Sequence, residues 1–395
     1  MIYLDYNATS PLLPEVVAAM QAVMGEPLNA SSVHAGGRRA KKLLEDARRD
    51  IAHALGAFPN EVLFTASGTE ANNLALRGFP DRPILVSAIE HAAVAKTASL
   101  LGAAVIPVDA HGVVKLDALR EMLANLIPPP RGGRLGGGQE GTNVLTSPPP
   151  SLPLQGGGAL VSIMLANNET GVIQPIAALA DIVHEAGGLL HVDAVQALGK
   201  IPLDWGLLKA DMLTVSSHKI GGPLGAAALL IRADLPIRPQ LTGGGQELGR
   251  RAGTENIAAI VGFAAAVRAT AHCPDATRQL MLRKALESQI RSIAPEARQF
   301  VFPVPQLPNT LMLCMPGISS ETQLMHFDLS GIAVSAGSAC SSGRIEPSAV
   351  LAAMGVPREE AASALRVSLG WGSTDADILA FADAWKALYS KAAKA

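Results

Sequence analysis

Lys219 stands in "LTVSSHKIGGPLGAAALLI", where an apolar run closes on Ser216, Ser217, His218 and Lys219 before glycines lead into a second apolar run. In an arbitrary turn such a lysine is a solvated surface cation. Held at the carboxyl end of a buried strand it is partly desolvated, which disfavours the ammonium form and leaves an amine able to form a Schiff base with a carbonyl cofactor. Ser216 and His218 beside it are donors that suit a phosphate. Upstream, "HVDAVQALG" ends another apolar run in Asp193. An aspartate there can simply cap the next turn. It also meets the need of pyridoxal phosphate for a carboxylate against its pyridine nitrogen, whose protonation makes the ring an electron sink.

Two further stretches bear on an anionic ligand. "FTASGTEANNLALRG" reads as strand, small-residue turn with Gly68 and Thr69, then helix, and the first N–H groups of such a helix with the threonine hydroxyl form an anion site. The same letters also read as a capping box. His91, in "SAIEHAAV", follows a strand, where an imidazole either stacks on an aromatic ring or fills a core or capping position. Cys340 lies in "SAGSACSSGR", among glycines and serines that cannot bury it, although unpaired cysteine usually behaves as a small core residue. Cys314, inside "NTLMLCMPG", reads as a buried strand residue, and Cys273 before Pro274 as a loop residue.

The elements that must position these groups follow from the pattern. Apolar runs with β character ("EVLFTA", "RPILVSA", "AAVIPV", "ALVSIMLA", "GLLHVDA", "DMLTVSS", "AAALLIR") alternate with helical stretches such as "IAALADIVHEAGG", the signature of a parallel sheet covered by helices. From about residue 256 longer helical stretches precede "NTLMLCMPG", "GIAVSAG" and "ALRVSLGWG", which predicts a smaller α+β unit. Between them the segment at about 128–158 is built from Pro, Gly, Ser and Gln and cannot bury enough surface to offset its ordering entropy, so it reads as a disordered surface insertion. A partner-binding arm would call for a clean PxxP register flanked by basic residues, which it lacks.

A chain of 395 residues has room for two or three domain-sized units and a large core without disulfides or structural metals. Net charge of -2 with 17% charged residues provides neither the basic field of a nucleic-acid binder nor the acidic excess of a disordered tail. No apolar stretch reaches the roughly 18 residues of a membrane helix, and "MIYLDYNATS" lacks a basic-then-apolar secretory pattern. Three well-separated cysteines, with no CxxC pair, argue against a disulfide framework or a zinc site and fit a reducing cytoplasm. No nucleic-acid or membrane partner is expected.

Together and in this order, "YLDYNATSP", "NASSVHAGGRRA", "SGTEANN", "EHAAV", "ANNETGVIQP", "HVDAVQALGK", "SSHKIGGPLG", "GGGQELGRRAGTEN", "GSACSSG" and "LRVSLG" resemble, over nearly the whole chain, the cysteine desulfurases of the NifS/IscS type. These are class V members of the fold-type I pyridoxal phosphate enzymes. The resemblance implies an aspartate aminotransferase-like α/β fold. Its large domain, residues 15–255, has a mainly parallel sheet covered by helices, and a small α+β domain of residues 1–14 plus 256–395 carries the cysteine loop.

It further implies Lys219 as the Schiff-base lysine and proton carrier, Asp193 as the pyridine-nitrogen partner, Gln196 and Asn168 near the ring oxygen, and His91 on the ring face. Gly68, Thr69, Ser216 and His218 would form the phosphate site, with Thr254 donated from a second subunit and hence a homodimer. Arg366 would hold the substrate carboxylate as a bidentate fork, beside Asn168. Cys340 would be the nucleophile that takes sulfur from L-cysteine as a persulfide, releases alanine and passes the sulfur to an acceptor protein such as an iron-sulfur scaffold or sulfur carrier. Glycine and serine neighbours suit a thiol that must reach the cofactor and then leave it. Selenocysteine lyase or a class V aminotransferase is the alternative on the same scaffold, and a non-catalytic scaffold protein is disfavoured by the intact Lys219, Asp193 and Cys340. Three features depart from the family pattern: the Pro/Gly-rich insertion, a C-terminus at "DAWKALYSKAAKA" without the extended tail some members use to engage the iron-sulfur scaffold, and Trp371 where a charged residue is common.

Overall fold

Each of the seven apolar runs becomes a strand of one sheet. The structure, a computed structural model, describes residues 1–126, 158–337 and 348–392. The chain runs β1 (Ile2–Tyr3), α1 (Pro14–Gln21), α2 (Ala35–Ala54), β2 (Val62–Thr65), α3 (Gly68–Arg77), β3 (Ile84–Ser87), α4 (Ala92–Leu100), β4 (Ala104–Ile106), α5 (Leu116–Leu126), β5 (Leu160–Met164), α6 (Ile176–Glu185), β6 (Leu189–Asp193), α7 (Trp205–Leu208), β7 (Met212–Ser216) and β8 (Ala227–Ile231). The sheet order is β2-β8-β7-β6-β5-β3-β4, in which only β8 runs against its neighbours. Every residue of β5 to β8 is buried, as a sheet covered on both faces requires. Polar groups on these strands can therefore meet a ligand only at the strand ends. The expected insertion falls in residues 127–157, outside the described residues, except Gly158, whose N–H donates to Gly187 O at 2.9 Å.

The remaining elements are α8 (Ile257–Thr270), α9 (Ala276–Ile293), β9 (Thr310–Cys314), α10 (Ser320–Leu329), β10 (Ile332–Ala333), β11 (Ser335–Ala336), α11 (Ala349–Ala353), α12 (Arg358–Ala362), β12 (Ala364–Ser368) and α13 (Asp375–Ala392). A second, antiparallel sheet has the order β11-β12-β9. Its core includes Phe327 and Phe381, stacked with centroids 4.7 Å apart, and the fully buried Trp385. Helix α8, which opens the stretch from residue 256, packs instead on α1 and α2, so that Ile260 and Phe263 join Val16, Leu44 and Ile51 in the core of the large sheet.

The N-terminal segment ties the two sheets together. β1 pairs in parallel with β10 as a separate two-stranded sheet, Tyr6 N donates to Ser368 O of β12 at 3.2 Å, and then Ser10 N donates to His218 O at 2.8 Å and Leu13 N to Gly221 O at 2.9 Å. The crossing is tight: a Cβ on Gly370 would lie 1.8 Å from the Tyr6 ring, so only glycine fits there.

Just below the ends of β5, β6 and β7, His191 makes a polar rung across three strands. Its Nδ1 meets Ser162 Oγ at 2.8 Å and its Nε2 meets Thr214 Oγ1 at 2.9 Å. Burial pushes this imidazole down to about 3, so the ring is neutral and serves as donor on one nitrogen and acceptor on the other. Replacing it by leucine leaves two buried hydroxyls unpaired, at about 1–3 kcal/mol each. An unfolded histidine takes up a proton near pH ~6.5, whereas the folded state refuses it until about 3, so this residue's contribution is complete above the unfolded value and is lost as pH falls. Urea denaturation should show wild type more stable than His191→Leu at neutral pH, with the gap narrowing in acid; a gap independent of pH would contradict the neutral rung.

Candidate active site

A cavity of about 220 Å³ opens at the carboxyl ends of β5, β6 and β7, and Gly68, Thr69, His91, Asn168, Asp193, Gln196, Ser216, His218 and Lys219 all line it. This is where ligands bind in open α/β sheets. A larger cavity of about 570 Å³ lies between α2 and the 245–255 loop, but neither Lys219 nor Asp193 reaches it. The smaller one gathers both of them.

Lys219 ends a single turn that follows β7. Its Nζ donates to Asn7 O and Ala8 O, both at 2.7 Å. Desolvation first, then the nearby Arg366, pushes the amine down to about 8, with Asp5 and Asp193 opposing. Asp193 ends β6 and is buried; its Oδ2 accepts from Asn72 Nδ2 at 2.7 Å and its Oδ1 from Val195 N at 3.0 Å. His91 takes the capping position: Nδ1 accepts from Ala93 N at 3.1 Å and caps α4, while the residue also lines the cavity. One side of that ring stays accessible, yet the surrounding protein desolvates it enough to lower its pKa, helped by Lys219 and Arg366 and opposed by Asp193.

At the other end of the cavity α3 begins. Ser67 Oγ accepts from Glu70 N at 3.1 Å and caps the helix, while Glu70 Oε2 accepts from Ala66 N at 2.8 Å rather than from Ser67 N, so the reciprocal capping box is not formed and the Thr69 side chain stays exposed. A Cβ on Gly68 would lie 3.1 Å from Val195 Cγ2 and 3.6 Å from Ser216 Cβ, so the absence of a side chain keeps this cradle open. Ser216 Oγ is buried with no hydrogen-bond partner among the described residues. His218 is pushed down to about 4, chiefly by desolvation, then by Lys219 and Lys200. Asp193 is the one carboxylate among the described residues lining the cavity. A carboxylate at one end, an amine alongside, and an unpaired hydroxyl with helix-start N–H groups at the other fit the pyridine nitrogen, aldehyde and phosphate of pyridoxal phosphate.

The second sheet supplies Arg366 from β12. Its Nη1 donates to Asn168 O at 3.0 Å and its Nη2 to Asp5 Oδ1 at 2.7 Å, while Nε has no partner among the described residues. It adjoins the cavity through Asn168 without lining it. Thr254 is exposed and does not line the cavity of its own chain, although Arg251, three residues earlier, pairs with Glu70 of α3 at 2.7 Å. Cys340 lies outside the described residues. Of the residues flanking that stretch, Ser335 donates to Asp5 Oδ2 at 2.7 Å and Ser348 donates to Glu169 Oε2, so both stems bond to carboxylates beside Arg366 or Asn168. Cys314 is a buried residue of β9 and Cys273 a buried loop residue, and burial pushes their thiols up to about 12 and about 11. Neither is a thiolate source at neutral pH.

Sequence reasoning did not single out Asn7, Asp5, Asn72 or Lys200, each of which touches a predicted site residue. An asparagine one helical turn into the phosphate-end helix, and a lysine four positions after Gln196, were the available signals.

The Aminotransferase class-V family matches residues 2–127 and 154–381, and the break between them falls on the Pro/Gly-rich segment. A cysteine desulfurase from Cereibacter sphaeroides is 39% identical over 95% of this chain and 92% of its own. Among solved structures, a NifS-like protein from Rickettsia africae superposes with a TM-score of 0.85 at 36% identity, covering 99% of both chains. SspA, solved in complex with cysteine, gives a TM-score of 0.74 at 28% identity over 93% of this chain and 99% of that one. With a site that accepts pyridoxal phosphate and relatives alike over their full length, the chain belongs to the class V aminotransferase family and, within it, to the pyridoxal phosphate-dependent cysteine desulfurases.

Proposed function

We propose that this enzyme removes sulfur from L-cysteine, holds it as a persulfide on Cys340, releases L-alanine, and passes the sulfur to an acceptor protein. What carries the reading is the convergence of Lys219, Asp193 and the unpaired phosphate-end donors on one cavity, with Arg366 joined to its rim through Asn168. Bound pyridoxal phosphate supplies an electron sink for charge developing at the substrate Cα.

The chain's own residues do the rest. Asp193, steadied by Asn72 and Val195 N, holds the pyridine nitrogen. His91 offers its ring face, Gln196 and Asn168 their amides near the ring oxygen, and Gly68, Thr69, Ser216 and His218 the phosphate donors, joined by Thr254 from a second copy. Lys219 tethers the cofactor through its amine and, once displaced, takes the Cα proton. Arg366, immobilised by Asp5, holds the substrate carboxylate through its guanidinium edge. The Cys340 thiolate attacks the substrate sulfur: the S–S bond forms, the Cβ–S bond breaks with its electron pair left on the carbon side, and protonation there gives alanine.

A homodimer is supported by Thr254, exposed and away from its own cavity, and by Leu248, 79% exposed at the larger cavity in a left-handed backbone conformation. A cytoplasmic setting is supported by the cysteine pattern, and no described helix is long and apolar enough to cross a membrane.

Cys340→Ala should keep the yellow cofactor and its spectral response to L-cysteine while losing alanine release, and mass spectrometry should find the wild-type persulfide on Cys340. Normal turnover in that variant removes the mechanism, and a requirement for a keto acid would make the enzyme an aminotransferase instead. Because the Lys219 amine is pushed down to about 8, uptake of pyridoxal phosphate by apoenzyme should accelerate as pH rises through that value and level off above it. A rate that keeps climbing toward pH ~10, as for an unperturbed lysine, would show that the amine is not desolvated.

A further inference from the structure

Lys200 is a buried amine that the reaction above leaves unused. It is 6% exposed, and its Nζ donates to Gln196 Oε1 at 2.5 Å and to Asn7 Oδ1 at 2.7 Å. Burial, Lys219 and Arg366 all push its pKa well down, with no opposing acidic group among the described residues. A lysine without a counterion in the interior is costly, so its two amide partners define what it does.

Gln196 is held at both ends of its amide. Its Oε1 receives Lys200, and its Nε2 donates to the main-chain carbonyl of Asn7 at 2.9 Å. Flipping the amide would set N–H groups against the Lys200 donors and Oε1 against the Asn7 carbonyl oxygen, two repulsive contacts in place of two bonds. Only one orientation is left. In it, one hydrogen of Nε2 is committed to Asn7 and the second is free for the cavity that Gln196 lines. The same Asn7 carbonyl accepts Lys219 Nζ, and Lys200 secures that residue through its side chain.

We propose that Lys200 is a positioning residue of the desulfurase reaction: it locks the Gln196 amide with an N–H toward the cofactor's ring oxygen and fixes the Asn7 carbonyl to which Lys219 bonds. This rests on the assignment of Gln196 and Lys219 to the cofactor. A donor at the ring oxygen favours its anionic form, so Lys200, acting through Gln196, lowers the proton affinity of the lysine–cofactor chromophore.

The test is a pH titration of the visible absorbance of cofactor-loaded enzyme. Lys200→Met keeps the aliphatic length and removes the donors, and should move the midpoint up by about half a pH unit or more, with kcat lowered about tenfold and KM for L-cysteine held within about twofold. Gln196→Ala should shift the midpoint in the same direction, and the double variant should shift it no further. An unchanged midpoint in loaded Lys200→Met, or additive shifts in the double variant, overturns the role; reduced thermal stability with a normal midpoint makes Lys200 merely structural and overturns it too. If the methionine variant does not load cofactor, Lys200→Gln is read by the same criteria. Unshifted midpoints with normal alanine release sink Lys200 alone, whereas wild-type enzyme that gives no alanine sinks the reaction and leaves the midpoints readable.

Discussion

Asn7 is the joint on which the site depends. Almost wholly buried, it spends every polar atom: its N–H donates to Ser368 Oγ at 3.0 Å, its Nδ2 to Thr310 Oγ1 at 2.9 Å and Asn168 O at 3.2 Å, and its Oδ1 accepts from Lys200 and Asn309. Its main-chain oxygen accepts from Lys219 and Gln196. Ser368, Thr310 and Asn309 belong to the small sheet and its approach, Asn168, Lys219 and Gln196 line the cavity, and Lys200 lies behind Gln196. The amine at the centre of the chemistry is thus moored to a strand crossing rather than to its own domain, and a shift of either sheet would be felt at Lys219. Fully satisfied buried networks of this sort specify one arrangement, because every alternative leaves a polar atom unpaired.

The charge balance around that joint points the same way. Lys219, Lys200, His91 and His218 all titrate below their ordinary values, first through desolvation and then through one another or Arg366. Nearby carboxyls do little to offset them: burial pushes Glu90 up to about 8 and Glu169 up to about 7. Asp193 and Asp5 are both engaged by hydrogen bonds. A pocket lined by Lys219, His91 and His218, with Lys200 and Arg366 just behind its wall, suits an anionic ligand.

The large sheet was legible because strands buried on both faces are continuous apolar runs, and because a polar residue closing such a run has nowhere to go but the ligand edge. Lys219, Asp193 and Ser216 were found on that logic and share one cavity. The reversal of β8 was not legible, since a fully buried strand carries no mark of its direction. Helix α8 is apolar nearly all round, and composition could not tell which of two cores would take it. Asn7, Asp5 and Asn72 escaped for a different reason. A hydrogen bond has two ends, and theirs lie from 121 to 361 positions apart in sequence, beyond any local pattern.

The parallel pairing of residues 2 and 3 with residues 332 and 333 has a consequence for biogenesis. Residues 2 and 3 must wait, unpaired, until residues 332 and 333 have been translated. Before then a nascent chain can assemble the large sheet, but the Asn7 and Ala8 carbonyls that receive the Lys219 amine are not yet anchored by that pairing, so the pocket is completed only after residue 333 has emerged. Contacts of such long range are slow to form, and until they do this amine lacks the acceptors that hold it in the folded protein.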